Sequence, residues 1–427
     1  MKNILFLEKR NNLINKTIYF LIVLLPITLV TGPFLPDLSI TVIVILFIYT
    51  SLKKKLYFFY TNIFTKIFVI FFLILIITSI FSINPLISLS KTIFYFRFWI
   101  FALAIWYIAG IEKQIIKHLT ISFTLIFVLL IFDGYLQFFL KKNIFGWPIQ
   151  GTRVSSFFKD ELILGSYLSR LLPFFFGLLV INNNLKNNKL NYVIFFIIFV
   201  TVEILTFLSG ERVAFFFINM SAIFLIITMS NYRIFRALSI IVSIFLIVIF
   251  INFYPKTSER MISDTVKQFT WNSQQLSKDD KTYIFSYEHH HHITSAVKIF
   301  QDHKFLGAGP RMFRVLCNDK KYLTSWESCS THPHNNYAQL LSETGIVGFT
   351  FLSLVFLFLL YVIFKHLIYK YYKKKILFTD FQLCLISTIL ISIWPFVPTG
   401  GFFNNWLNII YFFPVGFLLK SFTKSKI

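Results

Sequence analysis

Residues 236–253 read RALSIIVSIFLIVIFINF, a stretch whose only charge, Arg236, stands at its front edge. At 1.5 Å per residue such a run makes about 27 Å of helix, close to the hydrocarbon thickness of a bilayer. In lipid a helix satisfies all of its own backbone hydrogen bonds, so the stretch reads as a transmembrane helix. Outward from it, eleven more apolar runs appear. The twelve lie at roughly 17–36, 38–52, 62–83, 91–110, 115–140, 161–181, 190–209, 212–230, 236–253, 343–365, 377–397 and 403–420. The second is short. No small-residue cleavage site follows the first, which therefore reads as an anchor and not a removed signal peptide. Composition agrees. Hydrophobic residues are 56% of the 427 and charged residues 14%, with 57 phenylalanines. Mean hydropathy is +0.72. A soluble multidomain protein of this length needs far more charge on its surface.

The net charge of +23 finds its place in the connections. Every second one is basic: Lys53 to Lys55, Lys113 and Lys117, Lys186 and Lys189, Arg233 and Arg236, and Lys365 to Lys375. Both chain ends are basic as well. Lysine and arginine accumulate on the cytoplasmic side, so both termini are expected there, with six connections outside. Basic residues spread over so many segments do not form the single patch of a nucleic-acid binder. The expected organisation is all-α and polytopic: nine transmembrane helices in 1–253, a large periplasmic catalytic loop with short helices at 254–342, and three more helices in 343–427. The Asn/Lys-rich stretch 182–191 reads as a solvated cytoplasmic turn.

Loops as long as 254–342 are usually functional. This one holds seven of the nine histidines. Its start, 254–282, reads as turns or short helix. Ile293, Ala296, Val297 and Phe300 fall at helical spacing, which predicts an amphipathic helix on the membrane–water boundary. Gly307-Ala308-Gly309-Pro310 is a turn signal. Cys317 and Cys329 are expected to form a disulfide on the oxidising side, and Cys384, inside a run, to be a packing residue. Pro333 disfavours helix at His332. Asn335 or Asn336 can cap the helix that follows. That leaves His334 at a helix N-terminus, where charging of the imidazole is disfavoured and the neutral ring can accept a proton. His289 to His292 are consecutive, so they cannot all face one metal ion. No spaced cysteine or carboxylate completes a zinc set. They read as a polar loop surface, and no metal or cofactor is expected.

The segment His334-Asn335, nine residues, Gly345, two residues, Gly348 resembles the signature of the O-antigen ligase and polymerase superfamily. Phe305 to Pro310 resembles that family's glycine turn, with Lys304 where a proline is usual. Ser209-Gly210-Glu211-Arg212 and Gly151-Thr152-Arg153-Val154-Ser155-Ser156-Phe157 are similar to two further elements, in the same order along the chain. The resemblance implies a metal-independent glycosyltransferase of the bacterial inner membrane, working at its periplasmic face. The donor would be an undecaprenyl-diphosphate-linked glycan. The acceptor would be a lipid A-core sugar for a ligase, another glycan unit for a polymerase, and protein in some relatives.

That chemistry needs an activated hydroxyl and a stabilised leaving diphosphate. Arginine binds phosphate bidentately and stays charged. His334, Arg212 and Arg311 are thus the candidate catalytic residues. Arg153, Arg314, Asn335, His332 and Glu343 are the candidate substrate contacts. Each has a plainer alternative: Arg212 an interfacial anchor, Arg153 a loop charge, Arg314 a structural one, and Glu343 a partner of a nearby arginine unless the helix breaks and lets it orient His334. Asp133 and Glu203 lie inside runs and are expected to pair with Arg97, Arg170 or each other. A transporter or flippase is the competing class. It predicts two similar halves, which the chain lacks.

Overall fold

A computed structural model describes residues 13–182, 189–270 and 285–423. Thirteen helices carry the architecture: α1 Leu13–Thr28, α2 Phe34–Lys53, α3 Ile63–Ile80, α4 Pro85–Ile111, α5 Ile115–Leu140, α6 Leu164–Ile181, α7 Lys189–Leu208, α8 Arg212–Thr228, α9 Arg233–Phe253, α10 Tyr287–Asp302, α11 Asn336–Tyr371, α12 Asp380–Ser392 and α13 Asn405–Phe422. Among the described residues there is no strand, only isolated bridges at 142–153. Each of the twelve apolar runs overlaps one of these helices. Eight (α2 to α7, α9 and α11) are long and apolar enough to cross a membrane, and α1, α8 and α12 are shorter apolar helices. The chain is a multi-pass membrane protein. α12 is only 13 residues long, about 20 Å of helix. A capping box on Thr379 and Gln382 starts it.

Helix starts follow local chemistry. Asn62, Asn84 and Asn404 each cap through a side-chain oxygen, and Pro85 takes the first turn of α4. α6 is buried over 83% of its apolar window, against 28% for α9 and 22% for α11. It is therefore the hub, apolar on all sides, while α9 and α11 turn phenylalanine, leucine and isoleucine outward. Water drives no helix association inside lipid, so contact comes from close packing. A Cβ on Gly416 would fall 2.5 Å from the Ala102 carbonyl oxygen, which brings α13 backbone to backbone with α4. A Cβ on Gly177 would lie 2.9 Å from the buried Cys384 Cβ, doing the same for α6 and α12. Phenylalanines fill the gaps, as where Phe123 stacks on Phe175 and Phe413.

The charges within the bundle pair differently from expectation. Glu203 binds Arg236 and Ser243. Asp133 accepts from Ser156 Oγ at 2.6 Å and from the Ile144 N–H at 2.9 Å. Arg97 forks onto Asp37. Arg170 donates to Ser166 and lies over the Phe217 ring. Each charge found the nearest polar group presented by its neighbour, which apolar spacing alone does not reveal.

Several connections meet at one end of the bundle. The Val154 N–H donates to the Leu208 carbonyl, Arg260 Nε to the Gly210 carbonyl, and the Thr399 N–H to the His334 carbonyl. Both chain ends, expected in the cytoplasm, and residues 183–188 of the 182–191 turn lie outside the described residues. The polar start of the loop forms short helical turns over Lys256–Ser258, Glu259–Ser263 and Asp264–Thr270.

Candidate functional site

α10 starts at Ser286, whose hydroxyl accepts from the His289 N–H. Its Ala296 and Ile299 are buried against Ala308, Met312, Phe313, Tyr322 and Ala338, with Ile293 alongside. The apolar stripe is satisfied by the loop's own small core. Cys317 and Cys329 are bonded to one another beside that core, their Cα atoms 4.9 Å apart.

Two glycine elements far apart in sequence seat this loop on α11. Gly345 takes φ +64°, ψ −162°, and breaks the helix there. A Cβ at that position would collide with the Phe305 carbonyl, and one on Gly307 with the backbone at Glu343–Gly345. The approach is backbone on backbone, which only glycine permits. The Ala308 and Gly309 N–H groups donate to the carbonyls of Ser342 and Glu343 at 2.9 Å each, and the Ile346 N–H donates to Lys304 at 2.8 Å. Glu343 is wholly buried. Its carboxylate accepts from the Phe313 N–H at 3.2 Å and from Gln339 Nε2 at 3.0 Å. Despite the break it does not reach His334. It fixes the Arg311–Phe313 turn.

Asn335 is the cap of α11. Its Oδ1 accepts from the Tyr337 and Ala338 N–H groups at 3.0 Å each, and its Nδ2 donates to the carbonyls of Pro395 and Val397. Every polar atom of that side chain serves the fold. It holds His334 in place, at φ +52°, a left-handed conformation uncommon for a residue with a side chain.

Around His334 stand three more histidines. The ring centroids of His332, His292 and His289 lie 4.1, 5.1 and 5.2 Å from that of His334. His289 and His292, three apart on α10, share one helix face. They thus belong to the site and not to the polar loop surface that their tandem run suggested. His292 is 7% exposed. Its Nδ1 and the Nε2 of His332 are buried without a partner. Burial pushes the His334 ring down to about 3, helped by repulsion from His332, His289 and His292. Burial, and then Arg314, push His332 down to about 4. His289 and His292 are also lowered, mainly by burial. All four are therefore neutral at pH 7. Among the described residues no group of three His, Cys, Asp or Glu side chains is placed to hold a metal ion.

Arginines flank this cluster on two sides. On the first, Arg212 faces His289 electrostatically. Arg212 Nε donates to the Arg260 carbonyl at 2.8 Å, and Arg260 Nε to the Gly210 carbonyl at 2.9 Å. Arg153 Nε donates to the Ser209 carbonyl at 3.0 Å, within electrostatic range of Arg260. Three cations thus meet over the 209–211 turn. The neighbouring carboxylate, Glu211, accepts from the Gly165 and Ser166 N–H groups at 2.7 and 3.0 Å, at the start of α6. Burial pushes it up to about 7, against the pull of Arg153. On the second side, Arg314 lies near His332, and Arg311 lies near Arg314. Arg311 Nε is buried without a partner.

The structure thus gathers His334, His332, Arg212, Arg153, Arg311 and Arg314 at one end of the molecule. It assigns the side chains of Asn335 and Glu343 to support. Arg260, His289, His292 and Glu211 were not read as site residues. Only the three-residue spacing of His289 and His292 on a helix carried a signal.

Residues 194–353 match a family model described as O-antigen ligase. That stretch runs from α7 to α11 and holds every residue of the site except Arg153. The family resemblance read from the short motifs holds there. No curated protein matches the chain.

Proposed function

We propose that this protein is a membrane glycosyltransferase of the outer face of the bacterial inner membrane. It moves a glycan from an undecaprenyl-diphosphate carrier to a sugar hydroxyl, by O-antigen ligation to lipid A-core. The observation that supports it most is the neutral His334, held between two groups of arginines at the family's signature position. The acceptor O–H gives its proton to a ring nitrogen of His334 as its oxygen bonds to the anomeric carbon. The anomeric carbon–oxygen bond to phosphate breaks, and the electron pair leaves on the diphosphate. Arg212, Arg153 and Arg260 neutralise that charge on one side; Arg311 and Arg314 stand across the histidines. Burial first, and then repulsion from its histidine neighbours, hold the His334 proton affinity low; the negative charge of a bound diphosphate raises it, so donor binding prepares the base. No divalent cation takes part.

Twelve crossings with both termini cytoplasmic would place the histidine cluster outside, where such acceptors are found. A polymerase would use the same groups with a second lipid-linked glycan as acceptor. A transporter has no use for a fixed neutral histidine among arginines.

The test is a gene-deletion strain carrying His334→Ala, analysed on lipopolysaccharide gels and for membrane insertion. Bare core with free lipid-linked polymer and normal insertion is expected. Core bearing a single repeat in the deletion strain would indicate a polymerase instead. Wild-type attachment by His334→Ala would remove the base.

A further inference from the structure

The second group of cations continues away from His334 along the start of α4. Ser88 Oγ donates to the Pro310 carbonyl at 2.8 Å, and Ser82 Oγ to the Ala308 carbonyl at 3.1 Å. These bonds pin α4 against the glycine turn that carries Arg311. Lys91 is three residues after Ser88, on the same helix face. It lies in electrostatic range of Arg311, Arg97 and Arg314, with Asp37 as the one carboxylate. Asp37 is already engaged by Arg97 at 2.7 Å. Lys91 has no ion pair among the described residues. The Nε atoms of both Arg97 and Arg311 are buried N–H donors without an acceptor. Four cations stand against two carboxylates, Asp37 taken by Arg97 and Glu343 in electrostatic range of Arg314, which leaves positive charge unanswered.

Of these groups, Lys91, Arg97 and Asp37 border a cavity. Asp37, Ser90, Lys91, Tyr95, Arg97 and Asn405 line about 200 Å³ of it. Asp37 and Asn405 are shared with an adjoining space of about 470 Å³ that runs to Phe34 and Leu38. Phe34, Leu38 and Phe94 around it are exposed apolar side chains. The cavity is thus cationic at its floor and greasy at its rim, at the end of the bundle where the loop sits. A molecule with a charged head and hydrocarbon chains fits that gradient: the head meets guanidinium and ammonium donors, and the chains stay beside the exposed aromatic and leucine side chains.

We propose that this cavity binds the phosphate-bearing headgroup of a lipid, and that it is the acceptor side of the active site. The donor diphosphate then takes the Arg153–Arg212–Arg260 side, and the histidines stand between the two substrates. The assignment as acceptor side rests on the glycan-transfer function; the lipid site itself does not.

Full-length protein in detergent is titrated with phosphatidic acid and followed by native mass spectrometry, with diacylglycerol of the same chains and inorganic phosphate as controls. Phosphatidic acid is retained by the wild type and by His334→Ala. Lys91→Gln weakens retention about tenfold, and Asp37→Asn, which frees Arg97, leaves it equal or tighter. Because Arg97→Gln strands Asp37 and can disturb folding, Lys91→Gln and Asp37→Asn carry the test. Equal retention by Lys91→Gln and wild type, equal retention of diacylglycerol, or displacement of the lipid by equimolar inorganic phosphate overturns the site. In a transfer assay Lys91→Gln raises KM for the acceptor and leaves KM for the donor unchanged. A rise in donor KM alone overturns the acceptor assignment while leaving the lipid site standing. Inactive His334→Ala that still retains phosphatidic acid supports the site independently of the chemistry.

Discussion

The charges inside the bundle and the charges around His334 are spent in opposite ways. Arg236 is buried with its guanidinium on Glu203, and Glu203 is completed by Ser243. Around the histidines, Arg153, Arg212 and Arg260 give their Nε donors to backbone carbonyls, and Arg212 also meets the half-exposed Asp264 carboxylate at 3.9 Å. The side chains of Arg311 and Lys91 form no salt bridge among the described residues. A charge matched by its own chain holds the fold. A charge tethered through its Nε to a neutral carbonyl is positioned without a close, buried carboxylate of its own, and its guanidinium can still meet an anionic ligand.

Breaking the matched pair should have the largest effect and should act on stability. Arg236→Ala strands the Glu203 carboxylate and is expected to cost about 3–5 kcal/mol, read as a lowered Tm of the purified protein. Arg236→Met with Glu203→Leu should recover most of that loss. If the single variant melts like wild type, the pair is not structural.

The opposite pattern is expected at Arg212. Arg212→Lys keeps the charge but loses the planar fork. Transfer should fall about a hundredfold with Tm unchanged, measured as kcat on purified enzyme. A Tm loss without a rate loss would move Arg212 into the structural class.

Acidification should separate the two regions more gently. His334 and His332 have folded-state values of about 3 and 4, against about 6.5 unfolded. The unfolded chain therefore binds more protons between those limits, and stability falls as pH drops from about 6.5 towards 4. His289, His292, Arg212 and Arg314 add repulsion, opposed by Glu288 at His289 and His292 and by a hydrogen bond from His292 to the Glu327 backbone. Glu211, raised to about 7, works the other way: its folded form binds the extra proton, so it loses stability as pH rises from about 4.5 through 7. Tm should fall from pH 7 to pH 5, less steeply in His334→Gln and more steeply in Glu211→Gln. Parallel curves for all three proteins would place the titration elsewhere.

The smallest expected effect is none. If arginines alone neutralise the diphosphate, excess EDTA should leave the transfer rate unchanged. A loss restored by magnesium would mean that the cations around His334 are insufficient.

The helices were legible because apolar run length reports directly on burial in lipid, and every run overlaps one. The motif positions Arg212, Arg311 and His334 were legible from short patterns. What the sequence concealed was spatial pairing. His292 and His334 are brought together only by the folding of the loop onto α11. Arg260 enters through its carbonyl and its Nε, on a polar stretch with no pattern of its own. The partners of Asp133 and Glu203 depend on how far one helix is shifted along its neighbour, which hydropathy does not encode. Asn335 and Glu343 looked like substrate contacts because polar residues beside a histidine do; their hydrogen bonds all turn inward.

The glycine seat of the loop has a consequence for how the protein is made. Lys304 to Gly309 emerge from the ribosome before Ser342 to Ile346, the backbone they dock onto. During synthesis the loop must therefore wait, unseated, until α11 arrives. A chain ending before Gly345 should leave the loop open to protease, whereas one extended past Ile346 should close it. The last stretch of the family signature is thus also the cue by which the loop stops being an unseated tail and becomes part of the molecule.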